Sequence, residues 1–387
     1  MESTLKRTWA EIDLDALAYN YRILCERMGP DSRLMGVVKA DAYGHGAIQV
    51  SRTLEELGAA CLAVSSLDEA QELRNAGIRL PVLQLGITPA ERTEQLLALG
   101  VTQTVWSESA ALSFSREARR LGQRMKVHIK LDTGMSRLGF PCGEADFEES
   151  AEAIARVCAL PGLEAEGVFT HFAVSDEDGA DSRAYTLLQH ERFEAMIRAL
   201  AARGVRFSLH HCANSGAVAG YPQFGHDLFR PGILTYGVGE QARDLGLRPV
   251  MALKTVVGAV RTLPPDASVS YGRTCRTTAA CRVGVLPVGY ADGLHRTLSN
   301  RWRMWTPYGT APILGRICMD MCMVDLTALP QVGEGSELEV YGPHNSVNEA
   351  ARLAGTIAYE LTCAVSKRVA RAYRRGGREV ARELLLR

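Results

Sequence analysis

Short apolar runs alternate with longer amphipathic stretches through the first two thirds of the chain. The runs are LMGVV, CLAVSS, PVLQLG, VTQTVW, MKVHIKLD, LEAEGVFTHF, RFSLHHCANS and HDLFRPGILTYG. Each has the length and composition of a buried strand. The stretches between them, such as SLDEAQELRNAG and TPAERTEQLLALG, place apolar residues near helical spacing and stop at glycine, a usual helix end. Ahead of the first run, DLDALAYNYRILCERMG also reads as a helix. Eight strand candidates with helical or loop crossovers in roughly 240 residues predict an α/β chain with a (β/α)8 TIM-type barrel. From about Leu247 the rhythm changes. VMALKTVVGAVRTL, CRVGVLPVGYADG and SELEVYG have strand composition broken by Pro, Asp and Gly turns. The expected division is a barrel over 1–240 and a β-rich C-terminal domain over 241–387. The tail TIAYELTCAVSKRVARAYRRGG is mixed, and its basic run reads as a solvated face.

Composition narrows the class of partner. The chain has 387 residues, enough for one large or two medium domains. Its 44 basic residues balance 44 acidic ones, which argues against nucleic acid or an anionic membrane as main partner. No run reaches the roughly 18 apolar residues of a membrane span. The start, MESTLKRTWAEIDLDAL, lacks the apolar core of a signal peptide, so a soluble cytoplasmic protein is expected. Ten cysteines are scattered without C-x-x-C spacing, so neither a disulfide framework nor a metal site is expected. Cys61, Cys158 and Cys212 lie in apolar runs and read as reduced core thiols.

In a barrel of this type, chemistry gathers at the strand ends. Lys39 ends the first candidate strand, in VVKADAYGHG. Lys130 is late in the fifth, His171 ends the sixth, Asn214 and Ser215 end the seventh, and Arg230 lies in the eighth. Alone, a strand-end lysine is ordinarily just solvated, and a lone histidine is ordinarily packed in a core. Gathered on one rim, they read as a polar site. A lysine nucleophile there points to a Schiff base, with a sugar-type carbonyl or with pyridoxal phosphate. An aldolase barrel has no need of the β-rich domain. HCANSG followed by RPGI offers a hydroxyl and glycine-exposed N–H groups for a phosphate.

The motifs VVKADAYGHG, HIKLDTGMSRLGF, GVFTHF, HCANS, RPGILTYG, VSYGRT, PVGYADG and GRICMD, in that order, resemble those of the barrel-type, pyridoxal-phosphate-dependent alanine racemases. The resemblance covers almost the whole chain. It implies that Lys39 carries pyridoxal 5'-phosphate as an internal aldimine and serves as one acid/base. It implies that Tyr271 is the second, reaching in from the partner subunit of a homodimer. Tyr43, Ser215, Gly232, Ile233 and Tyr359 are implied to bind the phosphate, with Asn214 in the same loop. Arg230 is implied to face the pyridine nitrogen, with His171 beside the ring. Arg137 is implied to hold the substrate carboxylate and the Tyr271 phenol, and Met319 to give that carboxylate a backbone N–H. Tyr290 is implied to stand at the entrance near Asp320. Lys130 matches a lysine carried by many members as a carbamate bridging to Arg137; an ordinary salt-bridging lysine is the equal alternative. Ser136 departs from the family, which more often has glycine there.

The implied reaction is racemisation, L-alanine to D-alanine and back, for peptidoglycan synthesis. An α-proton leaves from one face and another returns on the opposite face, so an amine and a phenol on opposite sides are a direct solution. Arginine only donates hydrogen bonds, so Arg230 implies an unprotonated ring nitrogen, a weaker electron sink and fewer side reactions. Three other readings stand beside this one: a serine or broad-specificity racemase of the same fold, a barrel decarboxylase of basic amino acids, and a non-catalytic pyridoxal-phosphate carrier. The match of VSYGRT and GRICMD argues against the second, and the β-rich domain against the third.

Overall fold

A computed structural model describes residues 7–384. The chain divides into two compact units, each described in turn.

The first unit comprises 21–42 and 47–235. All eight apolar runs supply strands: Arg33–Val37, Cys61–Val64, Val82–Gln84, Val101–Val105, Met125–Asp132, Leu163–Phe169, Leu209–His211 and Leu228–Phe229. The first seven pair in parallel in sequence order, and Leu228–Phe229 pairs in parallel with Arg33–Val37. The remaining seam, between Leu209–His211 and Leu228–Phe229, is bridged by the Arg230 N–H donating to Ala213 O at 2.9 Å. The result is a near-closed eight-stranded parallel barrel of TIM type. Its strands are buried on both faces, which is why they read as continuous apolar runs. Two crossover helices, Leu67–Asn75 and Glu108–Arg120, start at serine caps written in the sequence. Ser66 accepts from the Glu69 N–H, and Glu69 reaches back to the Ser66 N–H, a complete capping box for Leu67–Asn75. Gly167 lies where a Cβ would sit 2.6 Å from the His128 ring, so the interior is fitted to that imidazole.

The second unit comprises 1–20, 43–46 and 236–387 and is β-rich. Its main sheet runs Gly309–Pro312, Arg303–Thr306, Glu337–Tyr341, Met251–Val256, Thr8–Asp13, Ala370–Arg375, Arg378–Glu383. The N-terminal strand Thr8–Asp13 thus precedes the barrel in sequence but pairs with Met251–Val256 and Ala370–Arg375. There Trp9 packs against Val256 and Ala372. A three-stranded sheet joins Ala259–Leu263, Cys281–Leu286 and Cys322–Asp325. A short hairpin pairs Ser268–Val269 with Cys275–Arg276. The basic run of the tail is not simply a solvated face. Arg371 is fully buried and donates to the carbonyls of Gly44, Val365, Ser366 and Val369.

Candidate active site

Lys39 follows the strand Arg33–Val37 and is half-buried. The chain then does something the sequence did not announce. Ala40, Asp41 and Ala42 have φ of 52, 54 and 53° and ψ of 49, 47 and 50°, and Tyr43 has φ 53°. Left-handed helical conformation costs an L-residue roughly 1–2 kcal/mol, so surrounding bonds must hold four in succession. The Ala40 N–H donates to Glu69 Oε1 at 2.7 Å, the Ala47 N–H to Asp41 Oδ1 at 2.7 Å, and the Ala42 N–H to Val38 O at 2.9 Å. Glu69 Oε2 meanwhile accepts from Ser65 and Ser66. The right-handed crossover helix starts only at Ala47. Backbone strain of this kind persists where surrounding structure over-determines it, commonly beside functional groups.

The two glycines around His45 are explained within the β-rich unit. A Cβ on Gly44 would lie 2.1 Å from Thr362 O, and one on Gly46 would lie 1.8 Å from the Tyr373 hydroxyl. His45 is buried against Tyr236, ring centroids 4.4 Å apart. Tyr43 lies 5.9 Å from Tyr359, centroid to centroid, and burial beside that second phenol pushes the Tyr43 pKa up.

Arg230 follows the last barrel strand and is only 4% exposed. Its Nη1 is 2.6 Å from His211 Nδ1, and its Nη2 donates to Thr170 O at 2.7 Å and Cys212 O at 3.2 Å. Burial lowers its pKa to about 10, so it stays charged at neutral pH. Because a guanidinium only donates, His211 Nδ1 must accept and its proton sits on Nε2. That Nε2 is 2.8 Å from His128 Nδ1. His128 therefore carries its own proton on Nε2, 3.6 Å from Glu166 Oε1. Lys126 and Thr102 also donate to Glu166, at 2.8 and 3.1 Å. The bond from His128 is the main reason the Glu166 carboxyl is held down at about 2. Burial, with Arg230 nearby, keeps His211 well below the usual imidazole range, and burial likewise lowers His128. A relay of fixed tautomers thus runs through the barrel interior from Arg230 to Glu166. His211, His128 and Glu166 were absent from the expected site. Their alternation in HIK and LHH was visible, but nothing in the sequence paired them.

Lys130 is 5% exposed, with Nζ 3.3 Å from Leu131 O and 4.9 Å from the Phe169 ring centre. Burial, with the charges of Arg230 and Arg137, holds its amine well below the ammonium range. The same barrel groups act on His171. Burial, Arg230, Lys130, Arg137 and Lys39 together keep that imidazole neutral. Arg137, Lys130, Arg230 and Lys39 therefore all lie within electrostatic reach of His171. Gln189, another residue unforeseen in the sequence, pins the His171 loop by donating to His171 O and accepting from the Ala173 N–H. Ser136, next to Arg137, has φ 55°, a left-handed conformation that glycine adopts at less cost. Asn214 caps the helix Ser215–Gly220 by accepting from the Ala217 N–H, and Ser215 Oγ donates to Pro231 O. At the next turn Leu234 N–H makes the first internal bond, to Pro231 O. The N–H groups of Gly232 and Ile233 precede it and are donors for an anion.

The remaining expected residues all belong to the β-rich unit. Tyr271 stands in the turn of the Ser268–Val269 hairpin, 68% exposed. Ser270 anchors that turn through its hydroxyl to Arg316 O. Tyr290 and Met319 are also exposed. Their segments are joined, since the N–H groups of Tyr290 and Ala291 donate to Cys318 O and Met319 O at 3.1 and 3.0 Å. Asp292, fully buried and not anticipated from the sequence, holds the Tyr290 turn. It accepts from Arg7 at 2.7 and 3.1 Å, from Arg368 at 2.8 Å and from the Gly289 N–H at 2.9 Å. Arg368 also pairs with Asp320 at 2.8 Å. VSYGRT, PVGYADG and GRICMD are thus brought together on one exposed patch.

The model of the alanine racemase N-terminal domain matches residues 12–240, and that of the alanine racemase C-terminal domain matches residues 250–373. The chain belongs to the alanine racemase family. It is similar to an alanine racemase of Clostridium perfringens, 40% identical over 383 residues that cover 97% of each chain. It is also similar to one of Desulfovibrio desulfuricans, 42% identical over 377 residues, 96% of this chain and all of the other. Among solved structures it resembles the alanine racemase of Clostridium difficile 630, with a TM-score of 0.94, 35% identity and full coverage of both chains. As a member of this family it is an enzyme, a pyridoxal-phosphate-dependent isomerase of alanine. The donor set fits that cofactor. Arg230 suits a ring nitrogen that accepts, and the Gly232 and Ile233 N–H groups with the Ser215 hydroxyl suit a phosphate.

Proposed function

We propose that each active site of this alanine racemase is shared between two subunits of a cytoplasmic homodimer. Residues 1–240 of one subunit hold the cofactor, and residues 241–387 of the other complete the site. The product, D-alanine, serves peptidoglycan synthesis. The observation that supports the chemistry best is Arg230, a buried cation held by His211, Thr170 and Cys212 that, as a guanidinium, can only donate. Bound pyridoxal phosphate supplies an electron sink that acidifies the substrate α-carbon.

The protein's own groups do the rest. Lys39 anchors the cofactor and moves the α-proton on one face. Tyr271 of the partner subunit moves it on the other. Arg230, which can only donate, would face the ring nitrogen of the bound cofactor and give it a hydrogen bond. His171, held neutral, would lie beside the ring of the bound cofactor. Tyr43, Tyr359, Ser215, Gly232 and Ile233 would bind the phosphate, with Asn214 supporting their loop by capping the helix Ser215–Gly220. Arg137 holds the substrate carboxylate and favours the phenolate of Tyr271 of the partner subunit, and Met319 of the partner subunit adds a backbone N–H. Tyr290 and Asp320 line the entrance. Lys130, uncharged in its buried setting, attacks carbon dioxide through its amine, loses a proton and bears the carbamate that orients Arg137. The exposed patch carrying Tyr271, Tyr290 and Met319 supports the shared site, since contiguous apolar surface of this kind marks an interface.

The decisive measurement is α-proton exchange in deuterium oxide, followed by NMR with each enantiomer. In Tyr271→Phe, conversion should fall by roughly two to four powers of ten in both directions. Exchange from D-alanine should persist through Lys39, with retention, and exchange from L-alanine should nearly stop. Equal exchange of both enantiomers in that variant would overturn the two-base assignment. L-serine assayed beside L-alanine sets the breadth of substrate.

A further inference from the structure

Away from the cofactor groups, on the outer wall of the barrel, four metal-ligating side chains converge. Strand alternation dictates part of this. His211 points into the barrel toward Arg230, so its neighbours His210 and Cys212 point outward. Cys212 Sγ there meets His190, from the helix Ala180–Ala202, and His226, from the segment before the last strand. One ligand atom from each of the three lies within 4.8 Å of the other two. Glu194, one helical turn beyond His190, adds a carboxylate. Its Oε1 is 3.2 Å from His226 Nε2 and 3.9 Å from His190 Nε2.

We propose that His190, Glu194, Cys212 and His226 bind a single divalent transition-metal ion of the zinc class. Two imidazoles, a thiolate and a carboxylate are a borderline-soft donor set, which suits zinc or cobalt(II) and not magnesium or calcium. In a tetrahedral zinc site the donors stand about 3.3–3.6 Å apart. The His226–Glu194 separation is already close to that range, and none of the separations among His190, Cys212 and His226 need close by more than about 1.2 Å. His226 Nε2 is sealed from solvent and has no hydrogen-bond partner among the described residues. Glu194 Oε1 lies close to it but off the hydrogen-bonding direction, an arrangement that a cation between the two atoms would satisfy. Both imidazoles are kept toward their neutral, ligating form, mainly by burial. The thiol, pushed up to about 12 by burial, gives its proton to solvent as the metal binds and gives up its contact with Phe224 O at 3.3 Å.

The His190 ring stacks on Phe224, centroids 3.8 Å apart, which fixes its plane. The cysteine pattern gave no sign of such a site because its donors come from three separate segments. Cys212 O also accepts from Arg230, and Ala213, Asn214 and Ser215 follow directly in the chain. The proposed ion therefore sits behind the phosphate-binding loop and braces it.

The test uses the untagged holoenzyme, stripped with a chelator and then titrated with cobalt(II) and with zinc. One equivalent of zinc per chain should bind by elemental analysis. One equivalent of cobalt(II) should give the visible d–d absorption of a tetrahedral centre and be displaced by zinc. His190→Gln, Glu194→Gln and His226→Gln should each weaken zinc binding at least about tenfold with unchanged circular dichroism. Cys212→Ser should do the same and abolish the tetrahedral spectrum, whereas Cys158→Ser should alter neither. Because Cys212 is buried, the helix variants carry the test should Cys212→Ser fold poorly. Substoichiometric binding, an octahedral cobalt spectrum, or full affinity in the His190 and His226 variants would overturn the proposal.

Discussion

The groups carried by the barrel and those carried by the β-rich unit are held in opposite ways. Arg230, Lys130 and His211 are buried, and their charge states are fixed by one another. Tyr271, Tyr290 and Met319 are exposed, and only the backbone around them is fixed, by Ser270 and by the ion network of Asp292. A cofactor's electronics need a dry site with settled protonation, because a few ångströms of low dielectric multiply every charge. Under the proposed shared site, a proton carrier that works on another subunit's substrate would have to protrude, and only its base could be rigid.

The sharpest way to break this contrast is to separate the two kinds of group. Lys39→Ala and Tyr271→Phe should each be inactive or nearly so, the second by roughly two to four powers of ten. Mixed in equal amounts with subunit exchange, they should recover about one quarter of wild-type activity, because half the dimers are hybrid and each has one intact site. Exchange without recovery would mean that both groups serve the same chain.

A second test removes the rigid base of the exposed patch. Asp292→Asn leaves Arg7 and Arg368 without their carboxylate. It should lower stability by about 2–3 kcal/mol in urea, below the full cost of breaking a buried pair because both guanidinia reach solvent. Cofactor absorbance should survive, and turnover should fall.

A third test addresses the barrel alone. His128, His171 and His211 have folded-state pKa values below the unfolded value. Their contribution to stability is complete above about pH 6.5 and is lost as pH falls below it, since the unfolded chain then takes up protons the native imidazoles refuse. The loss approaches about 1.4 kcal/mol per pH unit for each imidazole. Urea midpoints measured from pH 7.5 to 5.5 should show it, with a shallower slope in His128→Gln. A flat profile would dissolve the relay.

The smallest effect concerns backbone alone. Ser136, exposed and left-handed, should gain about 0.5–1 kcal/mol on replacement by glycine. A loss would mean that its side chain holds the Arg137 loop.

Much of this was legible in the sequence. The apolar runs specified eight parallel strands because strands covered on both faces must be apolar along their whole length, and Ser66 with Glu69 specified a helix start by hydrogen-bonding chemistry local to four residues. The motifs specified the family and therefore the reaction. What only the tertiary structure decided was every relation between residues distant in the chain. Four left-handed residues after Lys39 depend on Glu69 and on Ala47 lying in reach. The tautomers of His211 and His128 depend on Arg230 at one end and Glu166 at the other. Thr8–Asp13 joins the far sheet because its partners are Met251–Val256 and Ala370–Arg375, and Arg371, polar in any reading of the sequence, is buried because four carbonyls converge on it. A sequence states which groups want a partner; which partner each one finds is a property of the closed fold, because only there is water no longer an alternative.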